Sequence, residues 1–120
     1  MVYGASRPMS ILDLKAEPGE GGAVRLVLSG ELDISSAPHL EEELARAEAG
    51  SPPVIVLDLR TLEFMDSTGL RAVVTADARA REQGRRLAIV RGPEAVHRIF
   101  SVTRLDERLD IIDDPAAVGA

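Results

Sequence analysis

The sequence predicts a single α/β domain in which an N-terminal β-hairpin and alternating strands and helices build one mixed β-sheet. Two short segments with alternating apolar residues come first, separated by a glycine-rich stretch, and two continuous apolar runs follow with helical patterns around them. Alternation is typical of strands, and helices between apolar strands are typical of crossovers in a partly parallel sheet. With 120 residues, 45% of them hydrophobic, the chain suits one domain with a substantial core.

The hairpin is predicted from residues 11–15 and 24–28, which read Ile-Leu-Asp-Leu-Lys and Val-Arg-Leu-Val-Leu. Residues 17–22 between them contain one proline and three glycines, which favour a turn. These glycines lack the lysine and the following helix of a phosphate-binding loop, so a flexible turn explains them better.

Three helices and three strands are predicted after the hairpin. The first helix begins after Ser35 and Ser36 and ends at Gly50, with Leu40 and Leu44 on its apolar face. Residues 54–57, Val-Ile-Val-Leu, predict a strand buried on both faces at the centre of the sheet. The remaining elements are a helix over 67–83, a strand over 87–90, a short helix opened by Gly92-Pro93 and a last short strand within 109–112.

The predicted domain organisation is a flexible N-terminus over 1–9, one domain over 10–112 and a C-terminal turn or tail over 113–120. The first residues lack the basic start and apolar run of a signal peptide, and the run at 54–57 is far too short to span a membrane. We therefore expect a soluble cytoplasmic protein without membrane insertion.

Composition excludes several classes of function. The net charge of −6 opposes binding to nucleic acid or to an anionic membrane surface, and three aromatic residues provide no base-stacking platform. The absence of cysteine excludes disulfides, thiolate metal sites and thiol catalysis. A protein partner is therefore expected.

The most informative motif is Phe64-Met65-Asp66-Ser67-Thr68-Gly69-Leu70. If Asp66 is the N-cap of the second helix, its carboxylate accepts hydrogen bonds from the first-turn N–H groups, and Met65 and Leu70 occupy the positions of a hydrophobic staple. Ser67 is then the first helical residue, an exposed hydroxyl without a capping role and a natural acceptor for a reversible phosphate. The alternative is that Asp-Ser-Thr is only a run of good cap residues.

The position of this motif in the sheet favours recognition. A loop over 59–66 is predicted to leave the carboxyl end of the central strand, which is where open α/β sheets bind ligands. Gly69 costs on the order of 1 kcal/mol of helix propensity relative to alanine. Either tight packing on the sheet or close approach of a partner explains it, and the sequence does not choose between them.

A catalytic role for Ser67 is not supported by the sequence. The hydrolase elbow G-x-S-x-G requires glycine at position 65, where the chain has Met65. The histidines, His39 and His97, fall in other helices and are expected at the surface or at its boundary. No catalytic residue, metal ligand or cofactor is predicted for this chain.

Three motifs together resemble a known family. Residues 28–33 (Leu-Ser-Gly-Glu-Leu-Asp), 54–59 (Val-Ile-Val-Leu-Asp-Leu) and 64–70 are similar in kind and order to the STAS domain of bacterial anti-sigma factor antagonists, over roughly residues 10–112. The resemblance implies a mixed sheet with helices and a role in partner switching. In that scheme the unphosphorylated antagonist binds an anti-sigma factor that is also a serine kinase, which frees the sigma factor. The kinase, which binds the ATP and magnesium, phosphorylates the antagonist, and a serine phosphatase reverses the modification.

The resemblance also assigns roles to residues. The phosphoacceptor is the hydroxyl residue after the motif aspartate, here Ser67, and Asp66 is its neighbour in the partner's active site. Asp33 matches an aspartate that contributes to partner contact, with a turn or cap residue as the alternative. Thr68 stands where many relatives have a second serine, which leaves open whether it is also modified. The expected partner-binding set is Asp33, Asp66, Ser67, Thr68 and Gly69.

Two other functions remain as alternatives. One is a STAS module without phosphate chemistry, such as a cytoplasmic subunit of a lipid-transport complex. The other is a small serine hydrolase.

Overall fold

The structure, a computed structural model, describes residues 11–116 and has one five-stranded sheet with the strands in chain order. β1 and β2 are antiparallel, and β2 to β5 are parallel to one another. The elements are β1 Leu12–Pro18, β2 Val24–Leu32, α1 Ala37–Ala49, β3 Val54–Met65, α2 Ser67–Glu82, β4 Arg86–Val90, α3 Glu94–Val102 and β5 Ile111–Ile112. The predicted hairpin, alternation and mixed sheet are therefore confirmed. The proposed N-terminal segment 1–9 and residues 117–120 lie outside the described residues.

The core lies on one face of the sheet. Right-handed crossovers between neighbouring parallel strands put all three helices on the same side, where α1 contacts α2 and α2 contacts α3. Side chains from alternate strand positions pack against the helices, among them Leu26, Leu28, Ile55, Leu57 and Ile89, all essentially inaccessible to solvent.

The loop predicted over 59–66 is wrong, because β3 continues to Met65. Its register with β2 shifts twice, once between the pairs Val27–Asp58 and Ser29–Thr61 and again between Gly30–Leu62 and Glu31–Phe64. Each shift inserts one extra residue into β3, as a β-bulge does. The buried residues of this half of β3, Leu59, Leu62 and Met65, are consequently spaced by three instead of two. The residues between them include the polar Arg60, Thr61 and Glu63. The segment therefore lacks the two-residue alternation by which a strand is predicted from sequence.

A buried carboxylate lies on the opposite face of β3. Asp58 is 2% exposed, and the Arg60 guanidinium donates to its Oδ1 at 3.0 Å and to its Oδ2 at 2.7 Å, with Arg25 3.9 Å away. Burial alone would raise the pKa of Asp58, but the hydrogen bonds from Arg60 and the charges of Arg60 and Arg25 bring it below its ordinary value. The ionised form of Asp58 thus stabilises the folded protein. This stabilisation is fully present above the pKa of the carboxyl group in the unfolded chain, and it is lost as the pH falls through the lower pKa of the folded state.

Within residues 11–116, no helix is both long and apolar enough to cross a membrane.

Candidate functional site

The carboxyl ends of β2 and β3 bring the two motif aspartates to one edge of the sheet. Leu32 and Met65 are the last residues of these strands and are partners in the parallel register. The backbone N–H of Asp66 donates to the carbonyl oxygen of Leu32 at 3.2 Å. Because adjacent strands are separated by about 4.8 Å, Asp33 and Asp66 leave the sheet side by side.

Asp66 is the N-cap of α2, as the sequence predicts. Its backbone is extended, and its Oδ1 accepts hydrogen bonds from the N–H groups of Thr68 at 2.9 Å and Gly69 at 3.0 Å. Its carbonyl oxygen accepts the first intrahelical bond, from Leu70 at 3.0 Å. Met65 and Leu70, at the positions of the predicted staple, are both buried. Strand β3 therefore passes into α2 through one capping residue.

Ser67 is the first residue of α2 and is exposed. No described residue makes a hydrogen bond with its hydroxyl. Arg71 lies four residues later and is also exposed, so its side chain is a neighbour on the helix surface, with Cβ atoms about 5–6 Å apart. A group added to Ser67 would meet solvent and one cation without entering the core.

Removing the cap is expected to weaken the domain. Asp66→Ala leaves the N–H groups of Thr68 and Gly69 without their acceptor and should lower the free energy of unfolding by around 0.5 to 2 kcal/mol. Asp66→Asn keeps an acceptor oxygen and is the matched control, with an expected change of less than about 0.5 kcal/mol. Urea denaturation measures both, and equal stability of the alanine variant and the native protein would contradict the capping role.

The structure favours packing as the explanation of Gly69. This residue is buried, and a Cβ there would lie 2.7 Å from the carbonyl oxygen of Leu32, 2.8 Å from Leu32 Cγ and 2.9 Å from Met65 Cγ. Real Cβ atoms do not approach backbone oxygen so closely. Gly69 faces the sheet, and its contact with a partner stays a prediction. Thr68 is half-buried.

Asp33 has the turn role that the sequence left open. Its Oδ1 accepts hydrogen bonds from the N–H of Ser35 at 3.0 Å and from the Ser35 hydroxyl at 2.8 Å. The Ser36 hydroxyl in turn accepts from the Asp33 N–H at 2.9 Å and donates to the carbonyl oxygen of Glu31 at 2.7 Å. These bonds order the connection from β2 to α1. The contact of Asp33 with a partner stays a prediction.

The glycine of the same motif has a backbone role that the sequence analysis missed. Gly30 has φ of 103°, and a Cβ there would lie 2.3 Å from the carbonyl oxygen of Ile11. Only glycine fits this conformation and this contact. A glycine inside a strand pattern is the available signal.

Two exposed apolar side chains near Ser67 were also missed. Ile34 is 74% exposed in the turn after β2, and Phe64 is 49% exposed near the end of β3. Burial at such places depends on how the strand ends and the turn are oriented, which local periodicity does not determine. An isoleucine inside the turn-forming segment Asp-Ile-Ser-Ser was the only sequence signal.

Neither histidine makes a hydrogen bond with Ser67 in the part of the chain that the structure describes. His39 is exposed in the first turn of α1, and His97 lies on α3 with its ring centre 6.2 Å from that of Phe100. In the described part of the chain, no group of three or more His, Cys, Asp or Glu residues is arranged to hold a metal ion.

Comparison with known proteins identifies the family. The family described as "Mlab, STAS domain" matches residues 16–113. The chain belongs to the STAS domain family. The anti-sigma-B factor antagonist of Bacillus subtilis is 34% identical over 89 residues, which cover 73% of this chain and 80% of the relative. The anti-sigma-F factor antagonist RsfB of Mycobacterium tuberculosis is 30% identical over 87 residues, covering 72% and 70%.

A solved structure supports the STAS fold assignment. The crystal structure of an anti-sigma factor antagonist from Mycobacterium paratuberculosis superposes with a TM-score of 0.76 at 26% identity, over 90% of this chain and 93% of that one. The relatives of this STAS domain are thus regulatory binding proteins, and the resemblance seen in the three motifs is confirmed.

Proposed function

We propose that this STAS domain is an anti-sigma factor antagonist controlled by phosphorylation of Ser67. The unphosphorylated form binds an anti-sigma factor that is also a serine kinase, and the sigma factor is released. Phosphorylation ends this binding, and a serine phosphatase restores it. The functional unit is residues 10–112, and it acts in the cytoplasm, where sigma factors work, without contacting nucleic acid itself.

The observation that carries the proposal is the placement of Ser67. Its hydroxyl is exposed at the start of a helix, beside an aspartate that already caps that helix, in a chain whose relatives are anti-sigma factor antagonists. Modification of this hydroxyl breaks no described hydrogen bond. A kinase can therefore modify the domain in its folded state.

Phosphate at Ser67 changes the interface more than the fold. It adds about −1.5 to −2 charges at a helix N-terminus, where an exposed anion is stabilised by about 0.3 to 1 kcal/mol. Against a partner packed over Ser67, the same group brings bulk, desolvation and repulsion from Asp66. Each 1.4 kcal/mol of that penalty weakens binding about tenfold.

Phosphorylation in vitro tests the assignment. The serine-kinase anti-sigma factors of the source organism, purified singly and supplied with Mg-ATP, should include one that adds a single phosphate, which phosphopeptide mapping places at Ser67. Ser67→Ala should abolish the modification, whereas Thr68→Val, the matched control at the next hydroxyl, should leave it intact. Modification of Ser67→Ala at the native rate would refute the assignment.

The same preparations discriminate the two alternative functions. A hydrolase would be labelled at Ser67 by a fluorophosphonate probe, and we expect no labelling because no described side chain serves Ser67 as a base. A STAS module without phosphate chemistry would resist every kinase. Either result would overturn the proposal.

A further inference from the structure

The exposed apolar side chains of this domain are concentrated at one edge of the sheet. Among residues 11–116 the large hydrophobic residues exposed to solvent are Ile11 at 73%, Ile34 at 74%, Phe64 at 49% and Val102 at 70%. Scattered single residues of this kind are normal on protein surfaces. Three of these four, however, lie where β1 begins and where β2 and β3 end.

The strand register places Ile11 and Phe64 at the same level of the sheet, on either side of Glu31. The N–H of Glu31 donates to the carbonyl oxygen of Ile11 at 3.0 Å, and Glu31 is the register partner of Phe64 on the other side. Ile34 follows three residues after Glu31 in the turn. We call Ile11, Ile34 and Phe64 the apolar edge. Ser67 lies at the same edge, because it follows Phe64 by three residues across the cap.

The turn that carries Ile34 is ordered before any partner binds. The bonds of Asp33 with Ser35 and of Ser36 with Glu31 hold both sides of Ile34, which itself remains in solvent. Binding through a pre-ordered side chain loses less conformational entropy than binding through a mobile loop. A well-exposed isoleucine in a fixed turn therefore suits an anchor residue at an interface.

Acidic residues outnumber basic ones near the apolar edge. Glu31, between Ile11 and Phe64, and Glu63 are exposed and Asp66 is half-exposed. The nearest cations on either side of Phe64 along the chain are Arg60, which is paired with Asp58, and Arg71 on α2. A partner that covers this surface must match its charge as well as its apolar centre.

We propose that the apolar edge is the centre of the surface that binds the anti-sigma factor, and that the partner presents an apolar pocket bordered by lysine or arginine side chains. This inference rests on the proposed function, and it deepens it by naming where the affinity of the unphosphorylated form arises. Phosphate at Ser67 would then lie beside the anchors, where its bulk and the cost of its desolvation outweigh attraction to the basic border and prevent close contact with the pocket.

Titration calorimetry with the kinase that modifies Ser67 tests the anchors. Ile34→Ser should weaken binding by about tenfold or more, the scale of an interface anchor. Val102→Ser is the matched control, since Val102 ends α3 and so lies at the opposite edge of the sheet, and it should change the affinity by less than about twofold. Melting curves should show both variants folded, because both side chains are exposed.

The charge of the partner is tested by the association rate. Glu63→Gln should slow association at low salt and reduce its salt dependence, whereas Glu82→Gln, an exposed glutamate at the far end of α2, should not.

If Ser67→Asp releases the partner while Ile34→Ser binds like the native protein, the apolar edge is refuted and the proposed function stands. If Glu63→Gln and Glu82→Gln behave alike, the basic border is refuted. If the native protein binds no anti-sigma factor, both proposals fail.

Discussion

Ser67→Asp is expected to weaken binding of the anti-sigma factor by at least about tenfold, roughly 1.4 kcal/mol, while Ser67→Ala keeps the affinity of the unmodified protein. Aspartate places a charge beside Asp66 at the interface and copies part of the phosphate charge. Alanine removes only an exposed hydroxyl. Calorimetry with the same partner preparation measures the difference.

Comparison of Ser67→Asp with Ser67→Ala distinguishes an effect at the interface from a loss of folding stability. Asp66, not Ser67, holds the first-turn N–H groups, so each variant should change the free energy of unfolding by less than about 1 kcal/mol. Matched melting curves provide the control. Equal affinities of the two variants, or a loss of binding explained by unfolding, would refute the electrostatic switch.

Gly69→Ala should destabilise the domain by about 1 to 3 kcal/mol, although alanine is the better helix former by about 1 kcal/mol. The new Cβ would lie 2.7 Å from a backbone oxygen of β2, so helix and strand must separate. The steric cost is therefore expected to exceed the gain in propensity. Urea denaturation measures the net effect.

The matched control is Thr75→Ala on the exposed side of the same helix. It gains helix propensity without a steric clash and should leave stability unchanged or raise it by up to about 0.7 kcal/mol. A Gly69→Ala variant as stable as Thr75→Ala, with impaired partner binding, would restore the alternative that glycine is needed for close approach of the partner.

The local signals in this sequence predict most of the architecture. Apolar alternation predicts the hairpin, the run at 54–57 predicts the central strand, and Asp66 predicts the start of α2 because a cap depends on only three or four adjacent residues. The exposed Ser67 follows from that cap. Each of these features is determined within a few residues of chain.

The features that were missed depend on residues distant in sequence. The second half of β3 is held by two bulges against β2, with the Thr61 hydroxyl donating to the carbonyl oxygen of Leu28 at 2.9 Å. Two of the three atoms that a Cβ at Gly69 would meet belong to Leu32 on β2, and the pKa of Asp58 is lowered in part by the charge of Arg25 on β2. Periodicity within one segment carries no information on such contacts.

If Ser67 is phosphorylated as proposed, the direct passage from β3 through Asp66 into α2 determines what the modifying enzyme encounters. Many kinases bind an extended, adaptable peptide around the acceptor hydroxyl, but here a sheet holds one side of Ser67 and a hydrogen-bonded helix begins on the other. Such an enzyme would have to bind the folded junction of strand and helix, so that the shape of this junction, and not a linear consensus, would select the substrate. Newly synthesised or misfolded copies would not present that junction, and modification would be confined to molecules already competent to bind.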